Sequence, residues 1–180
     1  LPKKPCSTLL NVLGSTVAGD IEVMFNDHCF TVNNTKFKMS ARLIEGRYPN
    51  YDSVIPKDND RIVTIAKNDF VAAMKRVLPM GNANSELVAL SFSMGMMTIS
   101  AEDFDFSKSA SENVGCDYAQ EEFTIGFKGS TLLQLLQNID TDNVKVMLKD
   151  PSRAGVLCED KSNGVYEYTS LIMPMLIQND

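Results

Sequence analysis

The side chains that most often do chemistry are sparse in this chain. It holds four cysteines (Cys6, Cys29, Cys116 and Cys158) and a single histidine, His28. A thiol nucleophile needs a base within hydrogen-bond reach and a third group to orient that base. Cys29 or Cys116 with His28 would supply the first two, but no spacing supplies the third. The cysteines form no CxxC pair, and one imidazole cannot complete a zinc site. The expectation is four buried reduced thiols, a solvated turn histidine, no metal and no cofactor. Carboxylates cluster at Glu102-Asp-Phe-Asp-Phe106 without a paired base, and no glycine-rich loop could cradle a phosphate. Hydrolase chemistry is set aside.

The elements that would present a binding surface are legible from a repeat. Ser7-Thr-Leu-Leu, a helical apolar pattern, a polar stretch and the strand pattern Ile21-Glu-Val-Met-Phe25 recur as Ser130-Thr-Leu-Leu, Asp140-Thr-Asp-Asn143 and Val144-Lys-Val-Met-Leu148. Leu132, Leu135, Leu136 and Ile139 stand at i, i+3, i+4 and i+7, one stripe of a helix. Ser130 is placed as its N-cap. Val144, Val146 and Leu148 alternate with Lys145 and Met147 as a half-buried strand. A weaker third copy runs from a helix over 68–78, with Phe70, Met74, Val77 and Leu78 on one face, into a strand from Leu87 to Phe92. A unit that cannot bury its own face implies neighbours that complete it.

The chain in order adds a strand stub at Leu1-Pro2, a helix over 5–13, and strands over 21–26, 29–32 and 36–43, with Asn33-Asn34 as a two-residue hairpin loop. Residues 46–60 carry glycine, prolines and turn formers but also Tyr48, Tyr51, Val54 and Ile55, which reads as a connector packed along a surface. A strand over 61–66 follows, then the middle helix capped by Lys67-Asn-Asp69. Strands are expected over 87–93 and 96–101, followed by a long polar-aromatic stretch to about 114, and then over 117–127, 155–159 and 165–175, with a turn at 160–164. The recurring order of strand, helix and three strands predicts an α+β fold, with helices gathered on one side of antiparallel sheets. The division expected is 1–55 and 56–180.

With 44% hydrophobic and 22% charged residues, the chain can bury a core and is not expected to be disordered. No run approaches the roughly 20 apolar residues of a membrane span, and the start has no apolar leader core. A cytoplasmic protein is expected. Leu rather than Met at position 1 points to a fragment or a processed chain. A net charge of −6 argues against coating nucleic acid by bulk attraction but leaves room for a local basic face.

Three motifs, Leu1-Pro-Lys-Lys4, Arg42-Leu-Ile-Glu-Gly-Arg-Tyr-Pro-Asn-Tyr51 and Ser170-Leu-Ile-Met-Pro-Met175, together resemble the bacterial DNA polymerase III β subunit family, the sliding clamps. The likeness covers the whole chain in order and corresponds to about the C-terminal half of that family. It implies the DNA-clamp fold, with 1–55 as the second half of a middle domain and 56–180 as the third domain. It also implies a homodimeric ring around double-stranded DNA with no catalytic activity, which serves as the processivity factor of replication. The implied partners are the polymerase III catalytic subunit, the clamp loader and other proteins with clamp-binding peptides. The alternative is a generic α+β protein-binding domain unrelated to replication.

The resemblance assigns three sets of residues. Lys3, Lys4, Lys75, Arg76 and Lys128 would face DNA phosphates, giving salt-sensitive contacts that read no sequence. Pro49, Val54, Thr131, Leu171, Met173, Pro174 and Met175 would line a hydrophobic peptide cleft, where flexible methionines can repack around different anchors. The plainer reading of Leu171, Met173 and Met175 is one strand facing its core. Pro79 and Met80, with Glu102, Asp103 and Asp105, would form the subunit contact, with Phe104 and Phe106 on the strand face opposite the aspartates. The chain departs from better-known members at Asp52 and Ser53, where they carry basic residues, and at Thr131, where a tyrosine is common. It also runs past the usual terminus with residues 176–180.

Overall fold

A computed structural model describes residues 1–16, 20–161 and 167–177. Parts of the turn expected over 160–164 and of the strand expected over 165–175 lie outside the described residues, as does 17–19 of the earlier repeat copy. The chain forms two compact units, Leu1–Asn50 and Tyr51–Asp180.

The first unit is a helix followed by a three-stranded antiparallel sheet: α1 (Lys3–Thr16), β1 (Glu22–Phe25), β2 (Cys29–Asn33) and β3 (Lys38–Arg42), in the order β1-β2-β3. Leu1 and Pro2 lie in no strand, and α1 starts at Lys3 rather than Pro5. Asparagine side chains close both turns. Asn26 Oδ1 accepts from the backbone N–H of His28 and Cys29 at 2.9 and 2.8 Å. Asn34 Oδ1 does the same for Lys36 and Phe37 at 2.8 and 2.9 Å. The second turn is therefore a four-residue connection, not the two-residue loop expected at Asn33-Asn34. Asn33 stays paired with Lys38, and the side chain of Asn34 supplies the acceptor a tight turn needs.

The second unit contains two modules of identical order. The first is β4 (Arg61–Ala66), α2 (Lys67–Val77), β5 (Leu87–Ser93), β6 (Met96–Asp103) and β7 (Lys108–Asp117). The second is β8 (Phe123–Lys128), α3 (Gly129–Gln137), β9 (Asn143–Leu148), β10 (Gly155–Glu159) and β11 (Thr169–Ile172). The strands follow the order β11-β10-β9-β4-β7-β6-β5-β8. Each module lends its first strand to the other: β4 pairs with β9, and β8 pairs with β5. A bridge between Gly126 and Met175 links the two ends of that order. The modules match residue for residue in their first strands. Both first strands have six residues and run straight into a helix, so Thr64 corresponds to Gly126. Thr64 pairs with Asp117 in β7, as Gly126 pairs with Met175 just past β11.

One core joins both modules. Phe70, Ala73, Met74 and Val77 of α2 and Leu132, Leu136 and nearby Ile139 share it with Val144, Val146 and Leu148 of β9. The helical stripe and the strand alternation expected from the sequence are both realised, and α2 and α3 pack on each other. Burying such a side chain contributes about 1.5–3 kcal/mol. The earlier repeat copy carries the same pattern in another setting. Ile21, Val23 and Phe25, the counterparts of the buried β9 residues, are 36%, 51% and 79% exposed.

Several local expectations are corrected. Neither Ser130 nor Lys67-Asn-Asp69 caps a helix: the N-cap residues are Lys128 and Ala66, without side-chain caps. A strand feeding directly into a helix leaves those positions inside the first turn. The strand expected over 117–127 is broken at 118–122, where buried Tyr118 turns inward and donates its hydroxyl to Glu121 O at 2.6 Å. The strand expected over 102–106 ends at Asp103, and residues 104–107 turn, with Ser107 at φ 50°. Tyr48, Tyr51 and Val54 of the connector are exposed rather than packed away. Tyr51–Ser53 form a short 3-10 turn, with the Val54 and Ile55 N–H groups bonded to Tyr51 O.

Candidate functional site

The strongest candidate surface in the second unit is where β8 enters α3 and the C-terminal segment crosses them. In β11, Ser170 and Ile172 are buried, while Leu171 is only half-buried. Met173 is 63% exposed, and Pro174 and Met175 are half-buried. Leu171 and Met173 therefore point away from the core, and the plainer reading of Leu171, Met173 and Met175 as one strand facing its core is overturned, since the strand ends at Ile172. Beyond Ile172 the chain leaves β10 and lies against β8, where Met175 N–H donates to Gly126 O at 2.8 Å. Thr131, exposed in the first turn of α3, and Lys128, the last residue of β8, lie on the elements this segment crosses. Val54 is 56% exposed in the same unit, and Pro49 belongs to the other unit.

Glu86, which the sequence did not single out, fixes the start of α3. Its carbonyl accepts Gly129 N–H at 2.7 Å, and its carboxylate accepts from Ser130 Oγ and pairs with Lys128 Nζ at 3.4 Å. Those partners hold the Glu86 carboxyl below its ordinary range, with the Ser130 hydrogen bond the largest cause. The residue adopts φ 51°, unusual outside glycine. No local signal marks it, since its partners are some forty residues away in the chain.

A second surface gathers residues from two distant segments. After α2, Leu78–Met80 form a 3-10 turn that leaves Pro79 and Met80 exposed. Asn82 ties this turn to the end of β6: its N–H donates to Glu102 O at 3.2 Å, and its Nδ2 lies 3.4 Å from both Asp103 Oδ1 and Asp105 Oδ2. Asp103 is buried, whereas Glu102 and Asp105 are exposed. Phe104 and Phe106 do not lie on a strand face opposite the aspartates. They stand in the turn, 77% and 71% exposed, with Lys108 Nζ 4.9 Å from the Phe106 ring.

The basic residues differ in their freedom. Lys3 and Lys4 are exposed in the first turn of α1, in the first unit. Lys75 and Arg76 are exposed in the last turn of α2. Arg76 grips Glu112 of β7 with two nitrogens, and Lys128 is held by Glu86. Among the described residues Lys75 has no acidic partner. The outer face of α3 carries Thr131, Gln134 and Gln137, with no charge.

The thiols form no site. All four cysteines are free and half-buried rather than fully buried. Burial pushes the Cys116 and Cys158 thiols up, away from the reactive thiolate. His28 is exposed in its turn, as expected. Among the described residues no group of three His, Cys, Asp or Glu could hold a metal ion, and no helix is long and apolar enough to cross a membrane.

A family model described as DNA polymerase III beta subunit, C-terminal domain, matches residues 52–176. The chain is similar to the beta sliding clamps of Pseudomonas putida, 26% identical over 97% of this chain, and Haemophilus influenzae, 28% identical over 97%. It spans 46% of the length of each, about half of the curated relatives it matches. Its fold is similar to that of a Bartonella birtlesii sliding clamp solved with griselimycin bound, at TM-score 0.90 and 24% identity, covering 98% of this chain and 46% of that one. A second Bartonella birtlesii clamp structure gives TM-score 0.89 at 25% identity, covering 98% of this chain and 50% of that one. With the paired modules and the matched segment agreeing, the chain belongs to the DNA polymerase III beta subunit family and has the DNA-clamp fold.

Proposed function

We propose that this chain is the C-terminal half of a sliding clamp, the non-catalytic, cytoplasmic processivity factor of DNA replication. The observation that carries this reading is the agreement in order, over nearly the whole chain, with half of a sliding clamp. Residues 56–180 are the third domain. Residues 1–55 are the second half of a middle domain, completed by a module of the same strand-helix-strand type. The exposure of Ile21, Val23 and Phe25 supports that assignment, because their counterparts Val144, Val146 and Leu148 are buried in a unit that has both modules.

In this reading the whole protein is a homodimeric ring that holds duplex DNA by enclosure. Topology removes the need for tight or base-specific contacts, so a few lysines against phosphates suffice. Among the described residues Lys3, Lys4 and Lys75 have no acidic partner, while Arg76 and Lys128 are already engaged with carboxylates. Pro79 and Met80, with the acidic Glu102–Asp105 segment and the flanking Phe104 and Phe106, meet the other subunit. The apolar patch supplies burial and the rim charges set register.

Client proteins, among them the polymerase catalytic subunit and the clamp loader, dock short peptides on Leu171, Met173, Pro174 and Met175, with Val54 and Thr131. The outward direction of Met173 supports this. A peptide burying two or three apolar side chains there reaches roughly micromolar affinity. The test is fluorescence-anisotropy titration of the chain with a labelled Gln-Leu-x-Leu-Phe peptide, followed by competition with griselimycin. Saturable binding that griselimycin displaces is expected. No binding of either compound at about a hundred times that concentration would remove the peptide-docking role.

A further inference from the structure

We infer that Gly126 is a positioning residue whose missing side chain seats the Met173–Met175 wall of the client surface; this rests on the peptide-docking reading above. A Cβ built at Gly126 would lie 2.7 Å from Met175 O, 2.9 Å from Ile177 Cγ1 and 2.9 Å from Leu87 Cδ1. The last two are ends of flexible side chains and can yield. The first is backbone, held by the 2.8 Å bond from Met175 N–H to Gly126 O, so any side chain at 126 must push the crossing segment off β8.

The molecule contains its own control. Thr64 occupies the equivalent place in β4, pairs with Asp117 as Gly126 pairs with Met175, and carries a branched side chain. A β-module of this design therefore accepts a side chain at that place. The sheet does not require glycine at 126; the tail does. On the β4 side the crossing strand is β7, ten residues long and paired along β6. On the β8 side the crossing chain has left β11 three residues earlier, so the single bridge at Gly126 sets where Met173, Pro174 and Met175 stand.

The experiment compares the wild-type chain with Gly126→Ala and Thr64→Gly, reading peptide affinity and amide hydrogen exchange together. In Gly126→Ala the Met175 amide loses its protection, core amides such as Ile65 and Val146 keep theirs, and peptide affinity falls about tenfold or more. Thr64→Gly leaves the Met175 amide protected and affinity within about twofold. An unchanged Met175 amide in folded Gly126→Ala overturns the inference, as does lost protection with unchanged peptide affinity. If the wild-type chain binds no peptide, the docking reading fails, while the exchange measurement still decides whether Gly126 seats the tail. If Gly126→Ala does not fold, the same change is made in a chain ending at Pro174. Restored folding there supports the inference, because only the flexible end of Leu87 remains within reach, and continued unfolding overturns it.

Discussion

Arg76 and Glu112 close a two-pronged ion pair between the last turn of α2 and the middle of β7, with Arg76 Nε 2.8 Å from Glu112 Oε2. Paired fork geometry is the strong form of such a contact. It raises the Arg76 guanidinium and holds the Glu112 carboxyl below its ordinary range, each chiefly through that hydrogen bond. A guanidinium so engaged is a poor phosphate ligand. Glu112→Gln is therefore expected to strengthen low-salt binding to duplex DNA and to steepen its salt dependence by roughly one phosphate contact. Filter binding across a salt series checks this, and an unchanged slope would count against a DNA-facing Arg76.

Met173 and Ile172 are neighbours with opposite fates, one exposed and one buried. Met173→Ala is expected to weaken peptide binding several-fold or more with little change in urea midpoint. Ile172→Ala is expected to destabilise the fold by about 2–5 kcal/mol, the usual cost of emptying a core position. Measuring both affinity and denaturation midpoint for each variant separates a contact surface from a scaffold. Equal effects on both readouts would remove the distinction.

The repeat permits a comparison at matched positions. Leu136 is fully buried, while its counterpart Leu13 in α1 is only half-buried. Leu136→Ala should cost about 2–5 kcal/mol, and Leu13→Ala distinctly less in this chain, because the smaller site keeps part of its solvent contact. Chemical denaturation of both variants gives the ordering directly, and a larger loss for Leu13→Ala would contradict the exposure of the first unit's core face.

Asp58 accepts from Lys149 Nζ at 2.8 Å and from Arg153 at 2.6 Å. Those hydrogen bonds, Lys149 first, lower its carboxyl to about 2. Because the folded value lies below the unfolded one, this group favours the folded state above the ordinary carboxylate range, and the contribution fades as pH falls from there towards about 2. The pair is exposed, so the effect on stability is small. An NMR titration of the Asp58 carboxyl should show the low midpoint, and Arg153→Ala should raise it. A midpoint near the ordinary value in the wild-type chain would dismiss the network.

Much of this protein was determined locally. The periodicity around Leu132, Leu136 and Ile139 and the alternation of Val144, Val146 and Leu148 follow from apolar side chains taking the one face a helix or strand can hide. The module order was legible for the same reason, as was the motif likeness that pointed to the family. Contacts that depend on chain segments meeting were not legible. Alternation could not tell that the strand through Glu102 stops at Asp103, because Asn82, twenty-one residues earlier, draws both aspartates to itself. Nor could spacing say which side of the last strand Leu171 and Met173 occupy, since a period of two names two faces and the packing of Ile172 chooses between them. Glu86 and Gly126 acquire their roles only when α3 and the tail arrive beside them. A hydrogen bond or a steric limit between distant residues leaves no trace in local composition, so those roles were decided by the tertiary structure alone.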